Sequence, residues 1–152
     1  MNPIFKKLNY KDQKVIHVFS PPEPFLHHME EMEHLAAFRS VLYPDEKASF
    51  VLAFVTKQDE INELVPTFAN ALEGDAVLWL AYPKGTSKNY KCDFNRDTGW
   101  EILGKYGFEG VRQVAIDEDW SALRFRRAEY IKTMKPDETR AMSETGKKKV
   151  GS

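Results

Sequence analysis

Two almost continuously apolar runs, "SFVLAFV" at 49–55 and "AVLWLAY" at 76–82, constrain most strongly what this chain can fold into. A strand with one wet face alternates apolar and polar residues, whereas a run without alternation is covered on both faces. The segment between them, "KQDEINELVPTFANALE", has the helical period instead, with Ile61, Leu64, Val65, Phe68 and Leu72 on one side. Thr56 reads as its N-cap, Asp59 three residues on approximates a capping box, and Pro66 predicts a kink or a restart. A buried strand, a helix and a second buried strand with short joints form a βαβ crossover, which is right-handed in nearly all proteins.

The flanks extend this unit. "VIHVF" at 15–19 is a short β-branched run stopped by the prolines of "SPPEP". From Phe25 to Phe38 the residues Phe25, Met29, Met32 and Ala36 recur at helical steps, and Ser40 to Tyr43 adds a short extended piece. A helix over Asp97–Tyr106 follows, with Gly107 at its C-terminal cap. "VRQVAI" at 111–116, a "DED" turn and the alternating "WSALRFRRA" then make a hairpin at a sheet edge, its last strand antiparallel. These elements predict a three-layer α/β sandwich with a mostly parallel, Rossmann-like sheet of four or five strands and an antiparallel edge hairpin. Residues 1–14 read as a polar N-terminal arm, 15–131 as one α/β domain, and 132–152 as a polar, partly helical or disordered tail.

Composition narrows the classes. At 152 residues the chain is large enough to bury a core without metal or disulfide support. Its 22 Lys and Arg against 23 Asp and Glu leave no global basic excess, so nucleic acid is not expected as a partner. No apolar stretch is long enough for a membrane span, and the N-terminus lacks the pattern of a signal peptide, so the expectation is cytoplasmic. The single cysteine, Cys92, allows no internal disulfide.

The loop "YPKGTSKNY" at 82–90 leaves the second buried strand and carries the first candidate site. Lys84 precedes a solitary glycine, so the order is not that of a Walker A loop, and the turn after the first strand has no glycine at all. What remains is a lysine with the hydroxyls of Thr86 and Ser87 at the carboxyl end of a parallel strand, where α/β proteins place ligands. Ser20 and Glu23 would face Lys84 if their strands were neighbours. Asp117, in the acidic turn 117–119, and Trp120 beside it complete the candidate ligand contacts.

Other constellations point less far. "HHMEEMEH" brings His27, Glu31 and His34 to one helical face without the H-E-x-x-H pattern, so a solvated face and no metal are expected. Ser121 in "DWSAL" has no neighbouring base and is not a nucleophile elbow. Arg124, Arg126, Arg127, Lys132 and Lys135 form a basic region, which a charged edge strand uses against aggregation and which also suits phosphates.

Taken together, "VIHVFSPPEPF", the central "FVLAFVTKQDEINELVPTFANALEGDAVLWLAYPKGTS" and "DEDWSALRFRR" resemble the small bacterial family known as domain of unknown function 3052. The resemblance covers about residues 15–130 and rests on Leu78, Trp79, Pro83 and Lys84 of an "LW-x-x-x-PK" strand end. It rests equally on Asp117, Trp120, Ser121, Leu123 and Phe125 of a "D-x-x-W-S-x-L-x-F" strand. It implies a single α/β domain and no particular catalytic residue. The longer Lys-rich tail and histidine-rich first helix depart from that pattern. The expectation is a non-enzymatic binding or regulatory protein without cofactor, meeting an anionic small molecule or an acidic protein partner. The alternative is an enzyme or sensor for a phosphorylated or carboxylated ligand, anchored by Lys84 with Ser87 or Thr86 as donor. A third reading is weak nucleic-acid binding through the basic edge.

Overall fold

The computed structural model describes residues 1–94 and 97–131; the expected tail at 132–152 lies outside the described residues. Six strands form one sheet in the order β2-β1-β3-β4-β6-β5, where β1 is Val15–Phe19, β2 Ala37–Arg39, β3 Ala48–Phe54, β4 Leu72–Pro83, β5 Phe108–Ala115 and β6 Trp120–Arg127. The first four are mutually parallel, and β6 runs antiparallel to both β4 and β5. The expected Rossmann-like α/β sandwich with an antiparallel hairpin at its edge is what the chain forms. Within that hairpin the antiparallel strand is the inner one, and β5 takes the edge.

Period-two alternation divides β3 and β4 between two cores. Phe50, Leu52, Phe54, Val77, Trp79 and Ala81 face one side, and Val51, Ala53, Val55, Leu78, Leu80 and Tyr82 face the other. Both sets are buried, which is why neither strand shows a polar alternation. The second side is covered by α3 (Gln58–Ala71) and α4 (Glu101–Lys105), with Ile61, Val65, Phe68 and Leu103 inward. Helix α3 is continuous through Pro66, which removes one amide donor without ending the helix.

The first side differs from expectation in two places. The supposed arm at 1–14 belongs to the core: α1 (Pro3–Lys7) buries Phe5 completely, Leu8 and Tyr10 follow it inward, and the Trp79 indole donates to the Leu8 carbonyl at 2.8 Å. Asn2 caps α1, accepting from the amides of Ile4 and Phe5 at 2.9 and 3.1 Å. The long helix expected over 25–38 is a 3-10 turn at Glu23–Phe25, the short α2 (Leu26–Glu30) and then β2. Parallel pairing of Ala37 with Val15 claims the last part of that segment for the sheet and supplies the sixth strand.

Candidate functional site

The carboxyl ends of β1, β3 and β4 define the end of the sheet where a ligand would be expected. At β4 the chain leaves through Pro83, which is in register with Trp120, and the Lys84 amide continues the ladder by donating to the Asp119 carbonyl at 2.8 Å. This joins the loop after β4 to the β5–β6 turn as one unit. Ser87 fastens the two together: its buried hydroxyl donates to Asp119 Oδ1 at 2.8 Å and accepts from the amides of Tyr90 and Asn89 at 3.0 and 3.3 Å. Asp117 Oδ1 accepts from the amides of Asp119 and Trp120 at 2.8 and 2.9 Å, closing an Asx-type turn. Trp120 is buried edge-on against Phe54 and tilted against Tyr90, and its indole Nε1 has no partner among the described residues.

Lys84, Thr86, Ser87, Asp117 and Trp120 are therefore brought together. Ser20 and Glu23 are not. Strand β3 stands between β1 and β4, so the turn after β1 cannot face Lys84 as a neighbouring strand end would. The connection is through packing only, Phe25 on Phe54 and Phe54 on Trp120. Ser20 has a left-handed backbone, with φ of 53°, a conformation unusual for a residue other than glycine. Ser87 is spent on internal bonds, whereas exposed Thr86 has no side-chain hydrogen bond among the described residues. Lys84 is half-buried, and its ammonium has no hydrogen bond or ion pair among the described residues.

The second anion-attracting place at this end is the start of α3, where helix amides point outward. Here the chain supplies its own carboxylates. Glu60 Oε1 accepts from the Thr56 amide at 2.8 Å, the Lys57 amide at 3.0 Å and the Thr56 hydroxyl at 3.3 Å. Asp93 Oδ1 accepts from the Gln58 amide at 2.7 Å. Glu60, one residue later than the expected Asp59, is the capping carboxylate.

Sequence reasoning missed a polar cluster on the other side of Phe25. The side-chain amide of buried Asn2 donates to Glu31 Oε1 at 3.0 Å and lies 2.9 Å from His28 Nδ1. The His28 ring packs at a tilt against His27 and Phe25, and burial, followed by His27, holds its pKa below the ordinary value, against the opposing charges of Glu31 and Asp117. The Asn-Pro pair at 2–3, a cap followed by a residue suited to the first helical turn, is the signal that would have located α1. Nothing local links Asn2 to His28.

Two arginines of the basic edge are committed to structure, Arg124 Nε has no partner among the described residues, and Lys132 and Lys135 lie outside them. Arg126 forms a two-pronged pair with Asp75 at 3.0 and 2.6 Å, and Arg127 donates to the carbonyls of Ala69 and Gly74 while covering the Phe108 ring. Two grooves stand out among the described residues. One of about 680 Å³ lies between α3 and α4, lined by Gln58, Asn62, Glu101 and Lys105, and one of about 370 Å³ lies between residues 42–44 and the end of α3. Neither includes the expected ligand contacts. No group of three or more His, Cys, Asp or Glu among the described residues is placed to hold a metal ion, and none of their helices is long and apolar enough to cross a membrane.

No protein-family model and no curated protein matches the sequence. Solved structures do. A SAM-dependent methyltransferase from Aquifex aeolicus aligns with a TM-score of 0.53 at 10% identity, covering 82% of this chain and 87% of that one. The ribosomal protein L11 methylase of Lactobacillus delbrueckii subsp. bulgaricus aligns with a TM-score of 0.52 at 12% identity, covering 82% and 74%. The Methanococcus jannaschii fibrillarin, described as a pre-rRNA processing protein, aligns at 0.47 and 12% identity, covering 74% of this chain and 56% of that one. The likeness is one of fold.

Two expectations are corrected. The non-enzymatic reading rested on missing nucleotide motifs, yet the same frame carries proteins described as methyltransferases, so those absences do not argue against an enzyme. The expectation against nucleic acid is withdrawn as well, because it rested on net charge, and a balanced net charge leaves a local basic patch open.

Proposed function

We propose that this chain is a small-molecule enzyme domain that takes a phosphorylated or carboxylated ligand at the carboxyl end of β4, with Lys84 as its electrostatic anchor and Thr86 as a hydroxyl donor. The observation that carries the reading is Lys84, whose backbone is fixed at a strand end while its ammonium has no partner among the described residues, and Ser87 and Asp119 of the same unit are bonded to each other. A lysine is a point charge on a flexible stem, suited to an anion and not to a planar, two-pronged partner. The methyltransferase frame supports an enzyme class rather than a passive module.

The frame also raises S-adenosylmethionine as a cofactor, and the residues do not fit it in the usual nucleoside-binding manner. The turn after β1 holds Pro21, Pro22 and Pro24, which have no amide hydrogen to offer a ligand. Where a carboxylate would take ribose hydroxyls, about twenty residues on, the end of β2 has Arg39 and Ser40. We therefore route no step through that group.

We also propose membership of the family known as domain of unknown function 3052. What supports it is that its two motif segments lie side by side, Leu78 opposite Phe125, Leu80 opposite Leu123 and Pro83 opposite Trp120. A thermal-shift panel of sugar phosphates, carboxylates, nucleotides and S-adenosylmethionine tests the function, since a ligand that prefers the native state raises its apparent stability. Shifts with small phosphates or carboxylates that vanish in Lys84→Ala support the anchor. Shifts unaffected by that change, or confined to S-adenosylmethionine, overturn it.

A further inference from the structure

We propose that Arg112 and Arg124 form a second anion site, a clamp of two guanidinium groups that takes a phosphate monoester. The two residues are in register on the antiparallel pair β5–β6, so their side chains leave the sheet on the same face, roughly 5 Å apart at Cβ. That face is the one carrying Trp79, Val114 and Ala122, since Trp79 is opposite Arg124 and Val114 opposite Ala122. Like charges directly opposite one another destabilise an antiparallel pair. Neither arginine forms an ion pair among the described residues. Asp75 is taken by Arg126, and buried Glu109 is in register with Arg126 as well. Arg112 Nη1 donates to Asn9 Oδ1 at 3.3 Å, and Arg124 Nε is buried without a partner. Burial first, then the charge of Arg126, holds the Arg124 pKa below its ordinary value; Asp75 opposes this and Arg112 adds to it.

Protection of a sheet edge accounts for Arg112 but not for Arg124. Charges on an outer strand discourage pairing with another chain, and β5 is outer, whereas β6 lies inside the sheet between β4 and β5. A half-buried arginine set against a second arginine at an inner position needs another reason. A phosphate monoester seated between the two supplies it. Its charge approaches −2 and it has three strong acceptor oxygens, so it can accept from the planar N–H forks of both guanidiniums. Repulsion becomes shared attraction, and a fork turned toward the phosphate gives Arg124 Nε the acceptor it lacks. A carboxylate, with two oxygens, fills one fork only. Arg112 is exposed, so the site opens at the sheet edge. It does not depend on Lys84: Arg124 is opposite Trp79, five residues before Lys84 and roughly 16 Å away along the strand direction.

The test follows the Arg124 Nε–H signal and the backbone amides of 112 and 124 in nitrogen-edited NMR of the full chain. It is run at constant ionic strength and about pH 8, where a phosphate monoester is a dianion. Methyl phosphate is expected to shift these signals saturably. Dimethyl phosphate, with one charge and two free oxygens, should bind at least about tenfold more weakly. Arg112→Gln should raise the apparent Kd for methyl phosphate about tenfold or more, and so should Arg124→Lys, which keeps the charge but loses the fork. Lys84→Ala should leave this response unchanged, while carboxylate binding read at 84–87 depends on Lys84, so the two sites fail separately. In urea denaturation without phosphate, Arg112→Gln should be at least as stable as the wild type, because the repulsion is relieved. At saturating methyl phosphate it should be the less stable of the two. This readout holds even where Arg124→Lys does not fold. A phosphoserine peptide titrated in parallel separates the sources: tighter binding than methyl phosphate assigns the phosphate to a protein, equal or weaker binding to a small molecule. Equal affinities for methyl and dimethyl phosphate, no saturable shift, or a Kd unchanged by Arg112→Gln overturns the proposal.

Discussion

Two places at the same end of the sheet attract negative charge, and the chain treats them oppositely. At the start of α3, Glu60 and Asp93 occupy three backbone amides and a hydroxyl, so the helix end is closed by the protein's own carboxylates. One strand further, after β4, Ser87 and Asp119 bond each other and leave the Lys84 ammonium open. The difference separates a charge used for folding from a charge available for binding. A helix end with amides free would be an anion site in its own right; here that capacity is consumed, and the isolated lysine is what remains.

Substitutions can break either half of this contrast. The largest expected effect is at Ser87, whose buried hydroxyl serves Asp119 and two amides. Ser87→Ala should lower stability by about 2–3 kcal/mol, because three part-buried hydrogen bonds are lost together, as read by urea denaturation. Glu60→Ala removes the carboxylate over Thr56 and Lys57 and should lower stability by about 1–2 kcal/mol. It also frees the amides of Thr56 and Lys57 just before α3, so phosphate should protect this variant against denaturation more than it protects the wild type. Lys84→Ala should leave stability within about 0.5 kcal/mol, as a surface change without a lost partner. If Lys84→Ala destabilises as much as Glu60→Ala, the lysine is structural and the contrast fails.

The smallest expected effect is on pH dependence. The unfolded chain takes up a proton at His28 near 6.5, the ordinary value, whereas the folded chain resists it. The unfolded state therefore binds more protons below that pH, and stability should decline as pH falls from about 6.5 toward the lower folded value. His28→Gln should flatten this part of the profile. Glu46 contributes in the opposite region: its hydrogen bond with His17 holds its pKa below 4.5, so the stability it gives above that value is lost as pH falls through the folded one.

How legible these regions were in the sequence follows from how local their causes are. Strands β1, β3 and β4 were readable because burial on both faces writes itself into consecutive residues. The hairpin was readable from its alternation, but the insertion of β6 beside β4 was not, since pairing order is set by contacts far apart in sequence. Phe25, Met29, Met32 and Ala36 fit a helical period, yet only Phe25, Met32 and Ala36 of these are buried, and they are so from a 3-10 turn, a loop and the approach to β2. A period of three or four is satisfied by several backbones when they press on one core. At the site, the strand-end position of Lys84 was legible from the apolar run before it. The closure of Ser87 on Asp119, the separation of Ser20 from Lys84 by β3, and the Asn2–His28 contact all depend on tertiary placement.

The most direct measurement is a nitrogen-edited NMR titration of the wild type and Lys84→Ala with n-propyl phosphate. Saturable shifts are expected at the amides of 84–87 and not at 56–58, with the apparent Kd raised at least about tenfold by Lys84→Ala. Shifts centred on 56–58, or an affinity unchanged by loss of Lys84, would contradict the assignment of the open charge to Lys84.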